Sequence, residues 1–99
     1  MPYQIIFRER ASKEYSQAVR WYEERSIQAA ENFADEVHAL ILRIQKQPDL
    51  FRKSHKKFRE VKTRKYPYSI IYFFYEKKQQ IIIASIFHQK RDPKNKFPS

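Results

Sequence analysis

Hydrophobic positions change their period along this chain, and each change marks an element. Tyr3 to Phe7 is a run of β-branched and aromatic residues and predicts a short strand. From Arg10 the apolar positions Ala11, Tyr15, Ala18 or Val19, and Tyr22 recur at helical spacing, with Lys13, Glu14, Gln17, Arg20 and Glu24 assigned to the other faces. This predicts an amphipathic helix ending near Arg25. Ser26 is placed to cap a second helix, although Ala29 stands where a capping box would hold Glu or Gln. Phe33, Val37, Leu40 or Ile41, and Ile44 then form one apolar stripe, and Pro48 disfavours helical geometry at Gln47. Two helices joined by so short a link should lie antiparallel.

Asp49 to Lys57 is mostly basic, has no clear period, and reads as loop. Phe58 to Arg64 alternates loosely, as a strand with one solvated face would. Tyr66-Pro67 reads as a turn. Tyr68 to Tyr75 and Gln80 to Phe87 are nearly continuous β-branched and aromatic runs, and the polar segment Glu76 to Gln79 makes them an antiparallel hairpin. The chain contains no Gly, so both turns should be longer than two residues. From His88 the sequence is polar, with Pro93 and Pro98, and reads as a tail. The order β-α-α-β-β-β predicts one α+β domain over residues 1–99 with a polar C-terminal tail at about 88–99. It is a two-layer sandwich with the helical hairpin on one face of a small, mainly antiparallel sheet. The first strand either joins an edge or slots between the others.

Charge changes this picture more than composition does. Residues 1–42 hold five Lys/Arg against seven Asp/Glu, a net of −2, whereas residues 43–99 hold sixteen against four, a net of +12. Charge kept only for solubility should be interspersed, so the asymmetry points to an acidic partner, either nucleic acid or an acidic protein. A solvated basic face is the plain alternative. The absence of Cys removes disulfides, thiolate metal sites and Cys nucleophiles, and suits a reducing cytoplasm. No apolar run is long enough to span a membrane, and Met1 to Gln4 does not open a signal peptide.

Candidate chemistry is sparse. His38, His55 and His88 stand apart without a second ligand at metal-binding spacing, so no metal or other cofactor is expected. His38 fits a partly buried position beside the helical stripe. Without Gly there is neither a nucleophile elbow nor a phosphate-cradling loop. What remains is chemistry by cations, or none. Lys62 and Arg64 alternate onto one face of their strand, and His88 and Arg91 end the last one. If strand order brought these together, they would form a cluster able to grip a phosphate and move protons. Otherwise Lys62 and Arg64 line a solvated face.

Several short motifs run in order across almost the whole chain. They are Ala11, Trp21-Tyr22-Glu23-Glu24, Ala29-Ala30 with Phe33, and Pro48, followed by Arg64, Tyr66-Pro67-Tyr68, Ile71-Tyr72 and His88-Gln89-Lys90-Arg91-Asp92-Pro93. Together they resemble the RelE/ParE toxin superfamily of type II toxin–antitoxin systems, in particular its ParE-like, plasmid-stabilisation branch. The resemblance implies a toxin neutralised by a cognate acidic antitoxin. RelE-like members cut messenger RNA on the ribosome with basic strand residues and a C-terminal Tyr, whereas ParE-like members act on DNA gyrase. Lys62 and Arg64 match basic positions of the cleaving pattern, but Glu60, Ser69 and Gln89 fall where it carries cations, and no Tyr follows Tyr75. The resemblance therefore favours a non-catalytic gyrase-directed toxin, with Lys62, Arg64, Tyr68, His88 and Arg91 as target- or antitoxin-binding residues. The alternatives are a ribosome-dependent endoribonuclease working through Lys62, Arg64, His88 and Arg91, and an inactive relic or basic nucleic-acid-binding module.

Overall fold

The computed structural model describes residues 2–97. Strand β1 (Gln4–Phe7) leads into helix α1 (Glu9–Glu23), and helix α2 (Ile27–Lys46) follows after a short link. The Ser26 hydroxyl accepts from the Ala29 N–H at 3.2 Å and caps α2. At its far end Gln47 leaves helical geometry ahead of Pro48, with φ −147 and ψ 84. Strands β2 (Lys53–His55), β3 (Phe58–Lys62), β4 (Tyr68–Tyr75) and β5 (Gln80–His88) complete a sheet of order β1-β5-β4-β3-β2. All neighbours are antiparallel except β1, which lies parallel to β5 at the edge, Gln4 opposite Gln80.

The predicted stripe is the core. Phe33, Val37, Leu40, Ile41 and Ile44 are buried against Ile70, Tyr72, Ile81, Ile83 and Ile86. The Tyr72 hydroxyl, buried among them, donates to the Pro48 carbonyl at 2.6 Å, and burial pushes this phenol up to about 12. It thereby fixes the chain leaving α2 to the centre of the sheet.

The opposite sheet face is also apolar, with Phe58, Ile71, Phe73, Ile82, Ala84 and Phe87 buried there. The predicted tail covers part of it. Asp92 caps a single 3-10 turn, Pro93–Asn95. The Arg10 guanidinium donates to the Asn95 carbonyl, Lys96 pairs with Glu60 at 2.6 Å, and Phe97 stacks on His55 at 4.8 Å between ring centres. Residues 92–97 are thus a strap across the outer face. Polar composition hid this role, because the contacts are one ion pair, one hydrogen bond to a backbone carbonyl and one aromatic ring.

Three local expectations need correction. The basic stretch after Pro48 contains β2, whose three exposed residues give no hydrophobic alternation to read. The strand expected over Phe58–Arg64 ends at Lys62, because Thr63 turns the chain by bonding through its N–H to the Tyr68 carbonyl at 2.9 Å. His38 is exposed rather than partly buried. Both expected turns are longer than two residues, at 63–67 and 76–79, and Lys56 and Gln79, each with φ of 53, enter the left-handed region without Gly. Lys56 does so in the two-residue link between β2 and β3. Such positions cost on the order of 1–3 kcal/mol each.

Candidate functional site

Glu14 is the surprise of the helical layer. Its spacing from Ala11 and Ala18 puts all three on the buried face of α1, although a carboxylate there reads as a surface residue. The reason lies in the sheet. The β4–β5 pairing shifts register between Ile71 and Tyr72, where Ser85 and Ile83 are the successive partners. Beside that shift the Ser85 hydroxyl donates to Glu14 Oε1 at 2.7 Å and the Ile86 N–H at 3.1 Å. Arg91 donates to Oε2 at 2.8 Å, and Arg10 approaches the same oxygen at 3.4 Å. A buried carboxylate persists only when its oxygens are so satisfied.

Above this network opens a cleft of about 280 Å³ between α1 and the ends of β4 and β5. Trp21, Tyr22, Tyr68 and His88 contribute rings to its walls. Trp21, 49% exposed, meets Tyr22 edge-on at 5.0 Å, and Tyr68 meets His88 edge-on at 4.9 Å. Burial raises both Tyr phenols, with Tyr66 adding to the effect at Tyr22 and Tyr22 at Tyr68, so they remain protonated donors. Burial, with Lys90 and Arg91 nearby, lowers His88 below its ordinary value. Its Nδ1 accepts the Lys90 N–H at 3.0 Å, which leaves the proton of the neutral ring on Nε2.

Of the residues singled out in the sequence, Tyr68, His88 and Arg91 line this one cleft. Lys62 does not join them. It pairs across the ladder with Ser69, whereas Tyr68 pairs with His88, so side-chain alternation puts Lys62 on the outer face and Tyr68 on the helical one. Arg64 lies beyond the end of β3, where its N–H donates to Glu36 Oε2 at 2.7 Å. The expected cluster of Lys62, Arg64, His88 and Arg91 is therefore divided between two faces, with β4 between the strands that carry it. Glu14 and Gln17 were missed as cleft residues, and the spacing of Glu14 from two small apolar residues was the available signal.

The outer face carries the other concentration of charge. Lys57 sits over the Phe73 ring at 4.1 Å and Arg8 over the same ring at 5.0 Å. Glu60 stands nearby. Its burial alone would raise its pKa, but Lys96, Ser69 and Ser54 around it outweigh that and hold it below the ordinary carboxylate value. Among the described residues no three potential metal-ligating side chains come together, and no helix is long and apolar enough to cross a membrane.

A capped helical hairpin against a five-stranded sheet, with the last strand inserted beside the first, defines a small α+β sandwich class to which solved structures can be compared. One such structure, the chromosomal ParDE TA system from P. aeruginosa, superposes with a TM-score of 0.71 at 12% identity, covering 87% of this chain and 95% of that one. At that identity the likeness speaks for the fold. No curated protein sequence matches the chain. The family itself comes from the sequence: the model for the ParE toxin of type II toxin–antitoxin systems, parDE, matches residues 5–93, and the chain belongs to that family.

Proposed function

We propose that this ParE-family toxin acts by binding DNA gyrase, without catalysis of its own, and that a cognate acidic antitoxin neutralises it. The observation that carries the non-catalytic reading is Glu60. In the cleaving relatives implied by the sequence resemblance, this strand position holds a cation. Here it holds a carboxylate kept ionised by Lys96 at 2.6 Å, which would oppose the charge of a phosphorane transition state. The separation of Lys62 and Arg64 from His88, and the engagement of Arg91 by Glu14, support the same reading. Tyr68, His88 and Arg91 in the cleft, with Lys62 and Arg64 toward the basic edge, are the residues we assign to target or antitoxin contact. The antitoxin partner follows from the family and from the two-component system named for the superposed structure.

An endoribonuclease is the second reading, because cations laid over aromatic rings on the outer face suit a nucleic-acid strand. Two assays separate them. Purified toxin should block gyrase supercoiling and leave messenger RNA intact on translating ribosomes. Codon-phased cleavage that vanishes with Lys62→Ala or Arg64→Ala, alongside untouched supercoiling, would restore the endonuclease.

A further inference from the structure

The cleft between α1 and the ends of β4 and β5 carries chemistry that gyrase binding does not require. We propose that it is a binding site for a single nucleotide unit, with the base against its aromatic walls and the phosphate on the free edge of Arg91. The inference stands on the cleft alone, whatever the toxin's target.

Three features point to that ligand class. The first is the pairing of rings with a cation. Trp21, Tyr22, Tyr68 and His88 line the cleft beside Arg91. A planar base gains from stacking on such rings, and a phosphate from a guanidinium fork. Arg25, which does not line the cleft, already covers one indole face at 3.5 Å and adds positive charge behind it. The second is electrostatic availability. Glu14 would repel an anion if it were bare, but its oxygens take Ser85, Ile86 and two guanidinium groups. The Arg91 guanidinium gives one nitrogen to Glu14, and its other nitrogens make no hydrogen bond among the described residues. His88, neutral and protonated on Nε2, adds a donor. The third is size. A cavity of about 280 Å³ is near the lower bound of small-molecule sites, larger than one acidic side chain needs. A carboxylate of a protein partner would use Arg91, whereas a planar base also gains from stacking on the rings.

The chain contains a single tryptophan, and it stands in the cleft wall, so its fluorescence reads occupancy directly. Full-length protein at low salt is titrated with adenosine monophosphate, adenosine, inorganic phosphate and a short poly-glutamate peptide. We expect saturable quenching by the nucleotide at sub-millimolar concentration, and responses at least about tenfold weaker from the nucleoside and from phosphate, each using half of the site. Arg91→Gln should weaken the nucleotide at least about tenfold. Because that change could loosen Glu14, the deciding variant is Gln17→Glu. It sets a negative charge at an exposed position of the wall and should weaken the nucleotide roughly fivefold with an unchanged circular dichroism spectrum. A 5′-phosphorylated oligonucleotide that binds tighter than the mononucleotide would identify the end of a strand as the natural ligand, and weaker binding a free nucleotide. Absence of saturable quenching overturns the proposal. So does a peptide that matches the nucleotide, or a nucleotide response indifferent to Gln17→Glu.

Discussion

At the scale of the residue, Glu14 decides more than any other polar side chain. It sits 8% exposed at the junction of the helical layer, the irregular point of the sheet and the start of the strap. Glu14→Ala would leave the Ser85 hydroxyl and the Ile86 N–H without their partner, and should cost roughly 2–3 kcal/mol in denaturant unfolding. Glu14→Gln keeps an acceptor oxygen and should cost less. Because Arg91 is half exposed, a double-mutant cycle between Glu14→Ala and Arg91→Ala should give a coupling below about 1 kcal/mol. A Glu14→Ala protein as stable as the parent would show that the network is ornamental. Two titrations add a pH signature. Folded His88 is harder to protonate than unfolded His88, so the unfolded state binds more protons just below the ordinary value of 6.5. Stability then rises with pH through that window and falls on acidification, and His88→Gln should flatten the slope of Tm against pH there. Glu60, held low, stabilises the fold above its ordinary value of 4.5 and loses that contribution only as pH falls through its folded value. A Tm that rises between pH 7 and about 5 would contradict the His88 assignment.

At the scale of the element, the clearest feature is α2. Its cap, stripe and terminating proline are all local signals, and all three were legible because each acts within a few residues of where it is read. Ile44, fully buried under the sheet, is the test. Ile44→Ala should lower unfolding free energy by roughly 2–5 kcal/mol, a large share of what a domain this size possesses, and a loss below about 1 kcal/mol would mean the stripe does not carry the core. The illegible parts were those set by distant partners. Glu14 looks solvated until Ser85 and Arg91 arrive from the other end of the chain. The strap looks like a tail until Glu60 and Phe58 provide its footing. β2 has no periodicity because both its faces are exposed, and its existence depends on β3. The candidate site was half readable. Tyr68 and His88 converge as the hairpin register requires, whereas joining Lys62 and Arg64 to them depended on strand order, and β4 lies between β3 and β5.

At the scale of the molecule, charge is sorted by layer. The helical hairpin carries most of the acids, while the β2–β3 edge, the strap and the turn at Lys77 and Lys78 carry the surplus of cations. Such an edge, crowded with Arg52, Lys53, Lys56 and Lys57, also resists pairing with another sheet. A field of this kind acts mainly on the rate of encounter. Association with the proposed acidic antitoxin should slow several-fold between low and physiological salt, with a much smaller change in dissociation rate. An association rate constant that does not respond to salt, measured by stopped flow, would remove steering from the account.

The parallel pairing of β1 with β5 has a consequence for the order in which this toxin comes into being. Gln4 finds its partner only at Gln80, so nearly the whole chain must exist before the first strand has a neighbour. A ribosome releases the N-terminus first, and until β5 emerges β1 is an unpaired ribbon and the apolar stripe of α2 has only the β4 part of its sheet, Ile70 and Tyr72, to lie on. Long-range pairings of this kind also slow folding. The sheet is therefore incomplete for most of the synthesis and closes only near its end, when β5 takes its place between β1 and β4. In a cell this leaves a brief interval, timed by translation, in which a binding partner already made can meet the newly closed sheet before anything else does.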